Sequence, residues 1–206
     1  NVWEYTRCEN LNRRRVTLKL FFLFYYSMKG SGISGTRKAT SKNDEYYTHR
    51  YAIKPILKYI KPNSTIWCPF DTEQSNYVCE LSNSGHYVKH THINTGNDFF
   101  ETNIECDYII SNPPYTIKNE VLSRLFQLKK PFAMLMNAAG IFDSQYRFDL
   151  FKDNRFEIMI MNKRVEYFMD YNDQIRSTRK SPPNPSIYFC SKMLPNQIVF
   201  EEINKK

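Results

Sequence analysis

Glycine is scarce in this chain. There are six in 206 residues and none between positions 36 and 84, so the turns of that stretch are not glycine-rich. Cysteine is sparse and does not pair: Cys8, Cys68, Cys79, Cys106 and Cys190 are odd in number, and no two have metal-ligand spacing. Cys68, Cys106 and Cys190 sit inside apolar runs and read as buried thiols, which points to a reducing compartment. Three of the four histidines (His49, His86, His90, His92) cluster without a carboxylate or cysteine beside them, so no metal-ligand set is apparent. The apolar run from Leu18 to Tyr26 is broken by Lys19 and too short to span a bilayer. Acidic residues are in the minority, 21 against 29 basic, and the net charge of +8 suggests an acidic partner, with nucleic acid the default. An apolar fraction of 41% and a charged fraction of 24% are ordinary for a globular chain, and the length suits one domain.

The most informative stretch is Ser111-Asn112-Pro113-Pro114-Tyr115. It follows a short apolar run, Tyr108-Ile109-Ile110, that reads as a buried strand. Each proline restricts its own φ and removes an N–H donor, so the strand opens into a stiff loop. In an open α/β sheet, ligands bind outside the carboxyl ends of the strands, where this loop falls. An exocyclic amino group on adenine or cytosine is a poor nucleophile, because its lone pair is delocalised into the ring. An acceptor on each of its hydrogens draws it toward a nucleophilic geometry. The Asn112 side-chain carbonyl and the Pro113 backbone carbonyl can be those acceptors, and the rigid prolines hold both in place. Tyr115 offers a face on which a flipped base can stack.

Asn112-Pro113-Pro114-Tyr115 resembles the signature loop of S-adenosylmethionine-dependent amino-methyltransferases, and the chain is similar to the small phage adenine-specific DNA methyltransferases among them. The resemblance implies S-adenosylmethionine as cofactor, adenine in DNA as substrate, and Asn112, Pro113, Pro114 and Tyr115 as the catalytic loop. Asp44-Glu45-Tyr46-Tyr47-Thr48 is similar to the acidic-Tyr-x-Thr-Pro segment that helps seat the cofactor's methionine moiety, with His49 in place of the proline. Tyr47 and Thr48 are its implied cofactor contacts. The first strand-to-helix turn, Pro69-Phe70-Asp71, resembles the family's cofactor turn, although Cys68 stands where an Asp is usual and the following glycines are missing. Pro69, Phe70 and Asp71 are assigned to the cofactor on that likeness. About twenty positions on, where an acidic residue usually binds ribose, the chain has His92. Gly96-Asn97-Asp98-Phe99 resembles the adenine-binding segment, which implies that Asp98 accepts from the cofactor's adenine amino group and that Phe99 packs on its ring.

Residues 1–27 differ in composition from the rest and read as an upstream-translated or disordered extension; 28–43 read as a flexible basic arm; 44–206 form the methyltransferase domain. Thr48 is the expected cap of a helix carrying Ala52, Ile53, Ile56, Leu57 and Ile60, and Asp71 with Gln74 has capping-box spacing. Strands are expected at 64–68, 85–93, 132–136 and 156–161. Two more, at 186–190 and 198–200, are expected to pair as a carboxyl-terminal antiparallel hairpin. The fold that follows is α/β: a Rossmann-like class I methyltransferase with a mostly parallel, twisted, seven-stranded sheet, that hairpin, and helices on both faces. Residues 162–185 read as a basic loop insertion in which Lys163, Arg164, Arg176, Arg179 and Lys180 suit phosphate contact and Tyr167 and Tyr171 suit base stacking. DNA is the expected partner and RNA the second candidate, with no membrane and no metal, in the cytoplasm of a bacterial or phage-infected cell. The alternatives are the same chemistry on RNA or on a protein glutamine, or a non-catalytic nucleic-acid-binding protein with a degenerate cofactor site.

Overall fold

The computed structural model describes residues 46–175 and 184–205. The expected extension (1–27), the basic arm (28–43) and Arg176, Arg179 and Lys180 lie outside the described residues. The chain runs β1 (Tyr47–Thr48), α1 (Arg50–Leu57), β2 (Thr65–Cys68), α2 (Asn76–Asn83), β3 (Tyr87–His90) and β4 (Tyr108–Ser111). It continues through α3 (Lys118–Leu128), β5 (Phe132–Asn137), α4 (Gln145–Lys152), β6 (Glu157–Met161), β7 (Tyr167–Phe168), β8 (Ser186–Ser191) and β9 (Ile198–Glu201).

Seven strands form one sheet in the order β3-β2-β4-β5-β8-β6-β9, and β8 alone runs against its neighbours. Side chains alternate across the sheet with period two. Ile66, Cys68, Tyr108, Ile110, Ala133, Leu135, Tyr188 and Cys190 enter one cluster with Ala52, Ile53 and Ile56 of α1 and Tyr77 and Leu81 of α2. The intervening Trp67, Ile109, Phe132, Met134, Ile187 and Phe189 enter a second cluster with Val121, Leu122 and Leu125 of α3 and Phe151 of α4. Both faces of the central strands are covered, so those strands are apolar throughout. Gly85, in the left-handed region at φ 86°, turns the chain from α2 toward β3 while the His86 N–H returns to the Leu81 carbonyl.

Three local expectations are corrected. The strands at the carboxyl end do not pair with each other as a hairpin: β8 inserts antiparallel between β5 and β6, and β9 lies parallel beside β6. Burial explains the placement, since all six residues of β8 are buried, whereas β9 alternates exposed and half-buried and suits an edge. Thr48 does not cap α1; it pairs within β1, and His49 holds the cap position with no side-chain bond to the helix. Asp71 and Gln74 are not a capping box; α2 starts later, with Ser75 as its cap, accepting from the Tyr77 N–H.

The segment 162–185 is also not a single exposed loop. β7 lies within it and pairs antiparallel with β1, Tyr47 opposite Phe168 and Thr48 opposite Tyr167. Val165, Tyr167 and Phe168 are buried in the core, and Tyr171 packs its ring against Tyr47 at 4.3 Å. Tyr167 and Tyr171 are therefore packing residues here, because the apolar bodies of the rings find more surface inside than at the edge of a loop.

Candidate active site

The strand order reverses at β2: β3 lies on one side of it and β4 on the other. Such a switch leaves a crevice between the carboxyl ends of the two diverging strands. Pro69-Phe70-Asp71 leaves β2 on one side of that crevice, and Asn112-Pro113-Pro114-Tyr115 leaves β4 on the other.

Asp71 joins the two walls. Its carboxylate accepts from the Ser75 hydroxyl at the start of α2 and from the Ser111 hydroxyl at the end of β4. Burial pushes the Asp71 carboxyl up to about 6, and the two serine donors oppose that shift. With both oxygens held inside, this side chain ties the turn after β2 to the strand that carries Asn112. The backbone bonds from Thr91 N to the Cys68 carbonyl and from Asp71 N to the Thr91 carbonyl extend the β2–β3 ladder into the same turn.

The structure brings the other segments to this end of the sheet. Phe70 packs on Phe99 at 4.9 Å, so the first turn and the Asp98–Phe99 segment touch. The Phe99 ring is 2% exposed and faces Trp67, Phe70 and Phe100. Asp98 accepts the Phe100 N–H through Oδ1 at 2.9 Å. His92 accepts the Asn94 N–H at 3.2 Å through Nδ1 and shapes the turn after β3. Tyr47 and Thr48 form β1, which is tied to the start of α2. The Thr48 carbonyl accepts from Asn76 Nδ2 at 2.9 Å, while its own hydroxyl is buried with no partner among the described residues.

Asn112 is half-buried, and its two polar atoms are treated differently. Nδ2 donates to the Tyr46 carbonyl at 3.0 Å. That carbonyl can only accept, so it dictates which way the amide points. Oδ1 is then a buried acceptor with no donor among the described residues. An acceptor in that position costs about 1–3 kcal/mol unless something donates to it. Pro113 is buried and Pro114 half-buried, and Tyr115 opens a short 3-10 turn that runs into α3. The Tyr115 hydroxyl donates to that of Tyr167 at 2.9 Å.

Several contributors carry no local sequence signal. Ser75, Ser111 and Tyr46 act through bonds spanning 4 to 66 positions. Arg147 is buried and donates to the Ile141 carbonyl at 2.7 Å, and also to the Gly140 carbonyl and Asn119. It thereby ties the loop after β5 to the first turn of α3. The Lys118 amine lies beside it, on the Ala139 carbonyl at 3.4 Å, and burial together with Arg147 lowers its proton affinity. Lys163 and Arg164 are exposed just past the carboxyl end of β6. β5 and β8 separate β6 from β4, a lateral distance of about 14 Å at ordinary strand spacing. Among the described residues, no helix is long and apolar enough to cross a membrane.

Neither a family model nor a curated protein matches the sequence. Solved structures share the fold. One is a protein from Pyrococcus horikoshii proposed to be an RNA methyltransferase, with a TM-score of 0.50 and 12% identity over 82% of this chain and 97% of that one. Another is a modification subunit of a proposed type I restriction enzyme from Vibrio vulnificus, with a TM-score of 0.50 and 11% identity. That match covers 94% of this chain but 52% of the subunit, so the chain spans about half its length. At these identities the likeness is one of fold: the mixed α/β, mostly parallel seven-stranded sheet of Rossmann-like methyltransferases.

Proposed function

We propose that the chain is an S-adenosylmethionine-dependent methyltransferase acting on the exocyclic N6 amino group of adenine in DNA. The observation that carries this reading is Asn112 Oδ1, in the loop that leaves β4 at the switch point, a buried acceptor with no donor among the described residues. An amino N–H of a flipped base supplies the missing donor. The second N–H is assigned to the Pro113 carbonyl, and the Tyr115 ring to the face of the base. Both acceptors draw electron density toward the amino nitrogen and aim its lone pair, and they act without reorganising because the prolines and the Tyr46 bond hold them.

The residues around the crevice suit the cofactor. Thr48 offers a buried hydroxyl that has no partner among the described residues, and Asp98 offers a carboxylate oriented by the Phe100 N–H. Tyr47, Thr48, Pro69, Phe70, Asp71, Asp98, Phe99 and Asn112 are the residues assigned to it. S-adenosylmethionine when bound supplies an electrophilic methyl group on a sulfonium. Lys163 and Arg164, just past β6 and about 14 Å of strand spacing from β4, are assigned to backbone phosphate rather than to the target base, and Arg176, Arg179 and Lys180 are assigned the same role further along the segment. RNA is the alternative substrate, because the amino-group chemistry is the same and one structure of like fold bears an RNA methyltransferase name.

The test is transfer of labelled methyl from S-adenosylmethionine to unmethylated DNA, with RNA and a glutamine-bearing peptide assayed in parallel. Label in N6-methyladenine of DNA is the expected result. Label confined to RNA or peptide overturns the substrate, and cofactor binding with no transfer to any of them overturns the activity. A companion measurement addresses the cofactor site. Asp98→Asn keeps a carbonyl oxygen for the Phe100 N–H and removes the charge. It should weaken S-adenosylmethionine binding in calorimetric titration by about 1.5–3 kcal/mol, the range for a hydrogen bond to a charged group. Unchanged affinity places the cofactor's adenine away from Asp98.

A further inference from the structure

Asn112 and Tyr115 stand at the two ends of the proline pair. The prolines stiffen the backbone between them, and contacts with other segments orient the two side chains. Separate contacts lead from each of them to one residue that belongs to neither the loop nor its strand. The Tyr115 hydroxyl donates to Tyr167 at 2.9 Å. Asn112 Nδ2 donates to the Tyr46 carbonyl, and the Tyr46 ring meets the Tyr167 ring edge-on, with centroids 6.1 Å apart and planes at 67°. Tyr167 is itself immobilised. It is 2% exposed, its backbone lies opposite Thr48 in the β1–β7 pair, and its hydroxyl shares a hydrogen bond of 2.7 Å with Ser186, the first residue of β8.

We infer that Tyr167 is the positioning residue of the base-binding loop: its hydroxyl sets the Tyr115 ring and its ring backs the Tyr46 anchor of Asn112. The inference rests on the reading of Asn112 and Tyr115 given above. It divides the two functions of one side chain. The hydroxyl governs capture of the base, because its bond to the Tyr115 hydroxyl orients the ring on which the base stacks. The ring governs the chemical step, because the Tyr46 carbonyl loses its backing when the ring is removed and Asn112 loses its aim. It also gives the Tyr115 hydroxyl a task that a role limited to the stacking face does not require.

The experiment uses the full chain and the variants Tyr115→Phe, Tyr167→Phe, their combination, and Tyr167→Leu. Tyr167→Phe is expected to raise the KM for nucleic acid about fivefold while kcat stays within about twofold, and Tyr167→Leu to lower kcat by about tenfold as well, in line with ordinary single hydrogen bonds and packing contacts. In denaturant unfolding, the combined Phe variant is expected to be little worse than Tyr167→Phe alone, because both substitutions delete the same bond. The side-chain amide signal of Asn112 in a nitrogen–proton NMR correlation should stay in place in Tyr167→Phe and move in Tyr167→Leu. Additive Phe effects on unfolding, or an Asn112 amide that ignores the loss of the ring, overturn the inference. Unfolding and NMR need no substrate, so they decide it even if the parent methylates nothing, an outcome that sinks the proposed activity instead. If Tyr167→Leu fails to fold, the Phe cycle and the KM–kcat split of Tyr167→Phe decide alone.

Discussion

Asn112→Ala is expected to slow methyl transfer by about 10²–10³, the usual cost of deleting one preorganised polar contact at a reacting centre. Cofactor affinity should change little, because Asp98 and the turn after β2 remain. The substitution removes the Oδ1 acceptor and the bond to the Tyr46 carbonyl together, while Pro113, Pro114 and Tyr115 stay in place. Loss should therefore appear in single-turnover transfer and not in calorimetric binding of S-adenosylmethionine. Folding should survive, since the deleted Oδ1 was an unsatisfied buried acceptor whose removal relieves a cost and partly offsets the lost Nδ2 bond. A variant that labels DNA as fast as the parent eliminates the mechanism. A variant that loses cofactor binding in parallel with rate places Asn112 chiefly in the cofactor site.

Asp71→Asn should remove a pH dependence of stability. Burial lifts the Asp71 carboxyl to about 6 in the folded chain, against 3.8 for the free side chain. The folded state then binds this proton more tightly than the unfolded one. The contribution is full below pH 3.8 and is lost as pH rises through 6. A shift of roughly two units corresponds to about 3 kcal/mol, of which about 1.4 should have appeared on going from pH 7.5 to pH 5. Cys68, Tyr77 and Tyr171 stand near this carboxylate, and burial raises the proton affinity of each, so all stay neutral across that window. Unfolding free energies of parent and Asp71→Asn, measured from pH 5 to 7.5, should diverge by that amount, with the parent gaining toward acid. Parallel curves mean that Asp71 does not carry the buried proton.

The proposed catalytic loop stood out in the sequence because its features are local. Two consecutive prolines, an amide and an aromatic after an apolar strand make a rigid, polar, stacking turn wherever they are folded. The central strands were legible for a related reason, since β2, β4, β5 and β8 are apolar on both faces and admit only a covered sheet. The place of β9 was not legible. Chain proximity to β8 suggested a hairpin, but pairing followed burial: β8 is apolar throughout and went between two strands, and the half-exposed β9 went to the edge. The cap of α2 was missed for a similar reason, because Ser75 holds that position and the Asp71 carboxylate is shared between the Ser75 hydroxyl and that of Ser111, 40 positions on.

Tyr167 shows the division most sharply. Its neighbours Lys163 and Arg164 made it look like part of a basic surface loop, and by composition it was. By sequence alone the chain determined the stiff Asn-Pro-Pro-Tyr loop, the mostly parallel α/β sheet with period-two faces, and a net positive charge. Only the tertiary structure decided that Asp71 bridges the two walls of the crevice, that Asn112 turns its amide nitrogen inward and leaves its oxygen without a donor, and that Tyr167 stands behind both ends of the loop. The reason is that a hydrogen-bond partner or a buried face is a property of what the fold brings alongside, and residues tens of positions apart leave no periodicity by which to recognise one another.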